Sequence, residues 1–169
     1  ILVAAGLQRI QAGQARAGIA ALLEVASRNP RTVVAADLGF AVGPRINAAG
    51  RLDDMSIGIE CLLSSDASRA SALAMQLHQL NQDRRLIEGD MQAEALRELA
   101  RLELAEEGEP PVAMTLYQPG WHQGVIGILA SRIKDRLHRP TIAFADGDAG
   151  QIKGSARSIP GIHIRDILD

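Results

Sequence analysis

The residues with the clearest capacity for chemistry lie in one stretch, residues 153–163. The stretch contains two glycines, two serines, a lysine, an arginine and a histidine. Gly154 allows a ligand to approach the backbone closely, Ser155 can donate a hydrogen bond, and Arg157 can bind an oxyanion through two N–H groups. A helix-like run begins after His163, so its first N–H groups would face the same ligand. These residue types favour a phosphate site; the alternative is a polar hairpin between two elements.

A second polar stretch, residues 43–54, contains two arginines, an asparagine and two glycines. Its hydrophobic pattern matches neither the helical nor the strand period, so a loop is predicted. Loops carry function more often than regular elements do, and in that interpretation Arg45 and Arg51 face a ligand. In the alternative interpretation, Asp53 or Asp54 caps the next helix and the arginines pair with carboxylates.

A third candidate, residues 121–127, joins a predicted strand to a predicted helix. Gly124 and Gly127 leave the first turn of that helix open, and Trp121 offers a ring for stacking. The alternative is that Trp121 covers the core and that His122 forms a hydrogen bond nearby.

Familiar catalytic and metal-binding motifs are missing from the sequence. It has no paired-histidine helix, no cysteine cluster, no phosphate-binding loop of the Walker type and no Gly-x-Ser-x-Gly turn. Asp53 and Asp54 resemble a helix cap, and Asp146 and Asp148 resemble an ordinary turn, so neither pair is assigned a metal. No metal site or catalytic residue is therefore predicted within these 169 residues.

Composition narrows the class of protein. The sequence is 47% hydrophobic but only 2% aromatic, so aliphatic residues must form the core, and binding of single strands mainly by base stacking is disfavoured. A net charge of −2 excludes a general cationic field, so any contact with a polyanion must be local. The single cysteine, Cys61, suggests a reducing compartment, and no stretch is predicted to cross a membrane. A cytoplasmic protein is expected.

The elements that must position these residues are one long helix, several shorter helices and three extended segments. A long helix is predicted from Asp66 to about Glu107, and about forty residues at about 1.5 Å each would give a rod of roughly 60 Å. In the alternative, Gly89 breaks this stretch into two packed helices. Residues 106–111, with their two prolines, are expected to end it and to mark a domain boundary. Shorter helices are predicted over residues 2–12, 15–27, 56–63 and 124–137. Extended segments are predicted over residues 112–117, 141–145 and 151–158, so the second part should be α/β.

Four stretches, taken in order, closely resemble the DHH phosphoesterase family, in particular its single-strand-specific 5′→3′ DNA exonucleases. They are residues 43–54, 80–85, 121–132 and 153–158. The resemblance covers nearly the whole chain and implies an α/β protein in three parts. Residues 1–55 would be the tail of a DHH domain, residues 56–108 a connector helix, and residues 109–169 a truncated, small α/β DHHA1 domain with a short sheet.

The resemblance also implies a function in DNA repair and recombination, with single-stranded DNA bound between the two domains. The Mn²⁺ or Mg²⁺ ligands of the family would precede Ile1, because the Asp-His-His motif is absent; this segment alone is expected to be inactive. Two departures, Ala156 where glycine is common and Ile162 where Gly-Gly-His is common, weaken the case for very close backbone approach. The implied phosphate-binding residues are Arg45, Asn47, Arg51, His122, Lys153, Gly154, Ser155, Arg157 and His163.

Two other functions remain open. One is a DHH phosphodiesterase for short oligonucleotides or cyclic dinucleotides, although the long connector argues against it. The other is a non-catalytic nucleic-acid-binding module of the DHHA1 type. The chain begins inside an apolar run and stops inside a predicted helix, so it is expected to be an internal piece of a longer protein.

Overall fold

The computed structural model of the chain describes residues 1–105 and 111–168, and it describes their side chains except at residues 98, 99, 101–105 and 148. The chain divides into two compact units, Ile1–Arg84 and Arg85–Asp169. The predicted fold class is confirmed: a helical first part, one long helix and a small three-stranded sheet. The boundaries after residues 55 and 108 stay a prediction, and residues 106–110 lie outside the described residues.

The first unit is helical. Its elements are α1 (Leu2–Gln11), α2 (Ala17–Val25), a 3₁₀ turn (Pro30–Thr32), α3 (Ala35–Asp37), a π-helical turn (Leu38–Val42), α4 (Gly43–Leu52), α5 (Ser56–Leu63) and the first part of α6 (Ala67–Ala105). Asp66 caps α6, since its Oδ1 accepts hydrogen bonds from the backbone N–H groups of Ser68 and Arg69 at 2.7 and 3.0 Å.

The core of the first unit is aliphatic, as the composition requires. Leu22, Leu23 and Leu77 are fully buried, and Cys61 lies among them. Burial raises the pKa of the Cys61 thiol, which therefore behaves as a small apolar group. Helices α2 and α5 approach so closely that a Cβ added at Gly18 would lie 1.8 Å from the carbonyl oxygen of Cys61.

The loop predicted over residues 43–54 is wrong, because most of that stretch is helix α4. Pro44 occupies its first turn, where a missing N–H costs nothing. Its buried face consists of Arg45, Ala48 and Ala49, and the two alanines follow Arg45 by three and four residues. An arginine and two alanines give little hydrophobic contrast, so the helical period was not visible in the sequence.

The second unit begins in α6 and continues through an α/β layer. Strand β1 (Met114–Tyr117) is followed by α7 (Ile126–Leu137), β2 (Thr141–Asp146), a 3₁₀ turn (Asp148–Gly150), β3 (Ile152–Arg157) and α8 (Ile164–Leu168). The sheet order is β1-β2-β3, with β1 parallel and β3 antiparallel to β2. Helix α7 packs on β2 and β3, and Leu129, Ile133, Ala143 and Ala145 of this layer are fully buried.

Two side-chain contacts join α6 to the α/β layer within this unit. Trp121 donates from Nε1 to Oε2 of Glu94 at 2.7 Å, and Arg132 donates from Nε to Oε1 of the buried Glu88 at 3.2 Å. Within the part of the chain that the structure describes, no helix combines the length and apolar character needed to span a bilayer.

We expect Gly18→Ala to destabilise the protein by about 1–3 kcal/mol or more, because the new methyl group must displace the backbone of α5. The matched control is Gly6→Ala in α1, where nothing lies within 4 Å of the added Cβ and helix propensity favours alanine by about 1 kcal/mol. Denaturant unfolding of both variants checks the difference. Equal stability of the two variants would contradict the close approach of α2 and α5.

Candidate phosphate-binding site

The predicted phosphate stretch is the edge strand β3, and its period places three candidates on one face. Successive strand residues point to opposite faces, so Lys153, Ser155 and Arg157 share a face. The register sets Ser155 beside Ala143 and Arg157 beside Thr141, and both neighbours are fully buried on the side of the sheet that α7 covers. The three polar side chains therefore extend from the covered face toward the helix.

Helix α7 and the turn before it supply one partner for each of these three residues. Lys153 donates from Nζ to Oε1 of Gln123, and Arg157 donates from Nε to Oγ of Ser131 at 2.8 Å. Between them, a Cβ added at Gly127 would lie 3.0 Å from Oγ of Ser155. We call these six residues the β3–α7 row: Lys153, Ser155 and Arg157 with Gln123, Gly127 and Ser131.

The β3–α7 row exists because two repeat lengths nearly match. Two residues of a strand advance about 6.7 Å, and four residues of a helix advance about 6 Å. The two-residue step from Ser155 to Arg157 therefore stays beside the four-residue step from Gly127 to Ser131 in α7, and Gln123, in the turn before the helix, lies opposite Lys153. Any side chain at Gly127 would close the middle of the row, since its Cβ would also lie 2.8 Å from Nη2 of Arg157.

The guanidinium of Arg157 is held in one orientation. Its Nη1 donates to Oγ of Ser155 at 2.9 Å and to the carbonyl oxygen of Ala156 at 2.8 Å, while Nε donates to Ser131. The Ser131 hydroxyl in turn donates to the carbonyl oxygen of Gly127 at 3.1 Å. Because Ser155 accepts from Arg157, its own O–H can point toward an external oxygen. This arrangement suits an oxyanion beside Ser155 and Nη2 of Arg157.

Gly154 lies on the opposite face of β3 from the row. A Cβ at this position would lie 2.6 Å from Cε1 of Phe144, so the ring of Phe144 packs directly on the glycine. This packing accounts for a glycine at residue 154 without any ligand. Its predicted contact with phosphate stays a prediction.

His122 and His163 occupy different settings. His122 is half-buried, and its Nδ1 accepts a hydrogen bond from the backbone N–H of Gly124 at 3.1 Å, so Nε2 can carry the donor proton. His163 is exposed, with its Nδ1 3.3 Å from Oδ1 of Asp166. Trp121 is buried, as the interpretation of a packing residue expects, and its indole N–H is bound to Glu94.

The three candidates of the first unit all lie on α4 but differ in exposure. Arg45 is buried, and it donates to the carbonyl oxygen of Ala41 at 2.6 Å, to Nδ1 of His78 at 3.1 Å and to the carbonyl oxygen of Val25 at 3.3 Å. These bonds join α2, the π-helical turn and α6, which is a structural use of an arginine. His78 is accordingly half-buried.

Asn47 and Arg51 are exposed on α4. Four residues separate them, so they share one face of the helix. On this face of α4, the side chains of Asn47 and Arg51 are accessible to an external ligand.

Three residues of the row, Gln123, Gly127 and Ser131, were not predicted as phosphate-binding residues. All three lie within residues 121–132, a stretch that the resemblance had already identified. The signal that could have found Ser131 is its place four residues after Gly127, which puts two small residues on one helix face. Among the residues that the structure describes, no group of three or more His, Cys, Asp or Glu side chains is arranged to hold a metal ion.

Comparison with known proteins shows what the chain is similar to. Residues 88–169 match the DHHA1 domain. The chain is 57% identical over 169 residues to the single-stranded-DNA-specific exonuclease RecJ of Dickeya dadantii, covering 100% of this chain and 29% of the relative. It thus spans less than a third of that relative's length.

Solved structures agree with the sequence comparison. RecJ from Thermus thermophilus in complex with Mg²⁺ matches with a TM-score of 0.76 at 34% identity, covering 96% of this chain and 24% of that one. An exonuclease RecJ bound to manganese matches with a TM-score of 0.78 at 34% identity, covering 96% and 38%. The resemblance inferred from four motifs is confirmed: residues 88–169 match the DHHA1 domain, and the chain as a whole is similar to one part of the RecJ exonucleases.

Proposed function

We propose that this chain is part of a metal-dependent, single-strand-specific 5′→3′ DNA exonuclease that acts in DNA repair and recombination in the cytoplasm. The support is 57% identity, along all 169 residues, to a protein named as a single-stranded-DNA-specific exonuclease. In this proposal residues 1–55 form the C-terminal part of a DHH domain and residues 109–169 belong to the DHHA1 domain. Residues 56–108 form the connector helix between the two domains.

The contribution of this chain is to bind the phosphates of the strand. The observation that carries this proposal is the hydrogen-bonded Arg157 network, in which Ser155 and Ser131 orient the guanidinium before any ligand arrives. A preoriented guanidinium loses less side-chain freedom on binding an oxyanion than a mobile one does. Since the chain has a net charge of −2, binding of a polyanion depends on such local placement of cations.

Lys153 extends the proposed phosphate contacts along the same strand. Three alternate positions of β3 span about 13 Å, which is long enough to follow more than one phosphate of an extended strand. Contacts of this kind position the nucleic acid and carry no sequence information.

The remaining candidates are assigned by exposure. Asn47 and Arg51 share an exposed face of α4, while His122 and His163 present ring nitrogens in the second unit; all four are proposed to contact phosphates or sugars. Gly154 borders the row through its backbone. Arg45 is left out of the proposed contacts, because its donors already bind Ala41, Val25 and His78.

The metal ions of the proposed reaction are not assigned to residues of this chain. Solved relatives contain Mg²⁺ or Mn²⁺, whereas the described residues include no cluster suited to either ion. Bond breaking is therefore assigned to the part of the enzyme that holds the metal ions. Binding and orientation are the part of catalysis that the side chains of this chain can supply.

In the full-length protein, we expect Arg157→Ala to weaken binding of a 5′-phosphorylated single strand by about 1.5–3 kcal/mol, the range for a hydrogen bond to a charged group. The slope of log affinity against log salt should fall by about 0.7, because one phosphate contact is lost. Fluorescence anisotropy across a salt series measures both quantities.

The matched control is Arg136→Ala, which removes an exposed arginine from the last turn of α7, outside the row. We expect this variant to bind within about twofold of the parent, since surface substitutions away from a site cost little. An Arg157→Ala variant that binds as tightly as the control would remove Arg157 from the site.

The purified segment of residues 1–169 should release no nucleotides from single-stranded DNA in the presence of Mn²⁺. The full-length protein should degrade a 5′-phosphorylated single strand and leave a cyclic dinucleotide intact. Product analysis by gel and chromatography checks both statements. Metal-dependent cleavage by the segment would contradict the proposed division of roles, and preferred hydrolysis of the cyclic dinucleotide would favour the smaller phosphodiesterases.

A further inference from the structure

A pocket of about 430 Å³ opens within the second unit, between α6 and the turn that precedes α7. Asp90, Met91 and Glu94 line it from α6, and Pro119 and His122 line it from the turn. Its volume lies within the range of sites for small organic groups, about 300–1,000 Å³. Of the residues proposed above to contact phosphates or sugars, His122 borders this pocket, whereas the side chains of the β3–α7 row do not line it.

Trp121 gives the pocket a fixed wall. The side chain is only 7% exposed, and its Nε1 donates to Oε2 of Glu94 at 2.7 Å. A buried indole N–H without a partner would be costly, so this hydrogen bond secures the turn against α6. His122, the next residue, is therefore held at the rim of a preformed cavity.

The lining chemistry differs from that of the β3–α7 row. The pocket places the carboxylates of Asp90 and Glu94, together with the guanidinium of Arg97, beside the apolar surfaces of Met91 and Pro119. Two carboxylates against one guanidinium leave the lining net negative, which disfavours a phosphate, and carboxylates accept hydrogen bonds readily from N–H groups. A flat, neutral group with amino donors on its edge fits both the acceptors and the apolar surface.

The pocket adjoins the β3–α7 row through the chain itself. His122 lines the pocket, and the next residue, Gln123, contacts Lys153 at the end of the row. A single strand alternates anionic phosphates with flat bases that carry hydrogen-bonding edges. One surface suited to phosphates next to one suited to an amino-bearing ring matches that alternation.

We propose that this pocket binds one unpaired nucleobase that carries an exocyclic amino group, from a strand whose phosphates follow the β3–α7 row. Asp90 accepts from the amino group, and Met91 and Pro119 contact the ring. Thymine lacks an exocyclic amino group and binds there less tightly. The proposal rests on the proposed function, since it requires that the protein bind single-stranded DNA.

The test uses the full-length protein and a 5′-phosphorylated oligothymidylate in which a single deoxycytidine replaces each thymidine in turn. One position should show affinity about tenfold higher than the all-thymidine strand, as one hydrogen bond to a carboxylate can supply. Asp90→Ala should abolish that gain, measured as the ratio of this variant's affinity for each substituted strand to its own affinity for the all-thymidine strand. Glu24→Ala, which removes an exposed carboxylate from α2, is the control and should keep the gain.

The outcomes separate the two proposals. If the affinity is the same wherever the single deoxycytidine is placed, the base pocket is overturned and the phosphate contacts remain. A positional preference that survives in Asp90→Ala would also overturn the pocket. Loss of the preference in both Asp90→Ala and Glu24→Ala would trace it to net charge and would count against the pocket as well. Failure of the full-length protein to bind any single strand would overturn the proposed function and the pocket together.

Discussion

The polar face of the second unit depends on the contact between the Arg157 guanidinium and the Ser131 hydroxyl, which connects the edge strand to the helix that covers it. The contact forms because strand and helix run side by side with nearly equal advance, about 6.7 Å for two strand residues and about 6 Å for four helix residues. If this register slipped by one strand residue, Lys153, Ser155 and Arg157 would all turn to the other face of the sheet. Glycine at residue 127 keeps the middle of the row open.

The distribution of charge follows from the same packing. A chain with a net charge of −2 cannot attract a polyanion as a whole, so the proposed binding of a single strand requires cations gathered at one place. Arg157 meets this requirement with acceptors that orient it, namely the hydroxyls of Ser131 and Ser155 and the carbonyl oxygen of Ala156. These three acceptors are neutral, so the hydrogen bonds that hold the guanidinium in place leave its charge available to a phosphate.

Arg45 and Arg157 show that arginine has two different roles in this protein. Arg45 is buried in the first unit, where carbonyl oxygens and His78 accept from it. A buried guanidinium is tolerated only when its donors are satisfied, and here they join three elements of the helical core. Arg157 is only half-buried, and its hydrogen bonds hold the guanidinium at the edge of the sheet.

The sequence by itself determined the type and order of most elements and the shared face of Lys153, Ser155 and Arg157, because periodicity and helix capping are local properties of the chain. Asp66 at the start of α6 is one such case. The sequence did not reveal helix α4, because the buried face of that helix is made of an arginine and two alanines. Only the tertiary structure decided which arginine is buried and which helix residues meet β3, since both depend on contacts between segments that lie far apart in sequence.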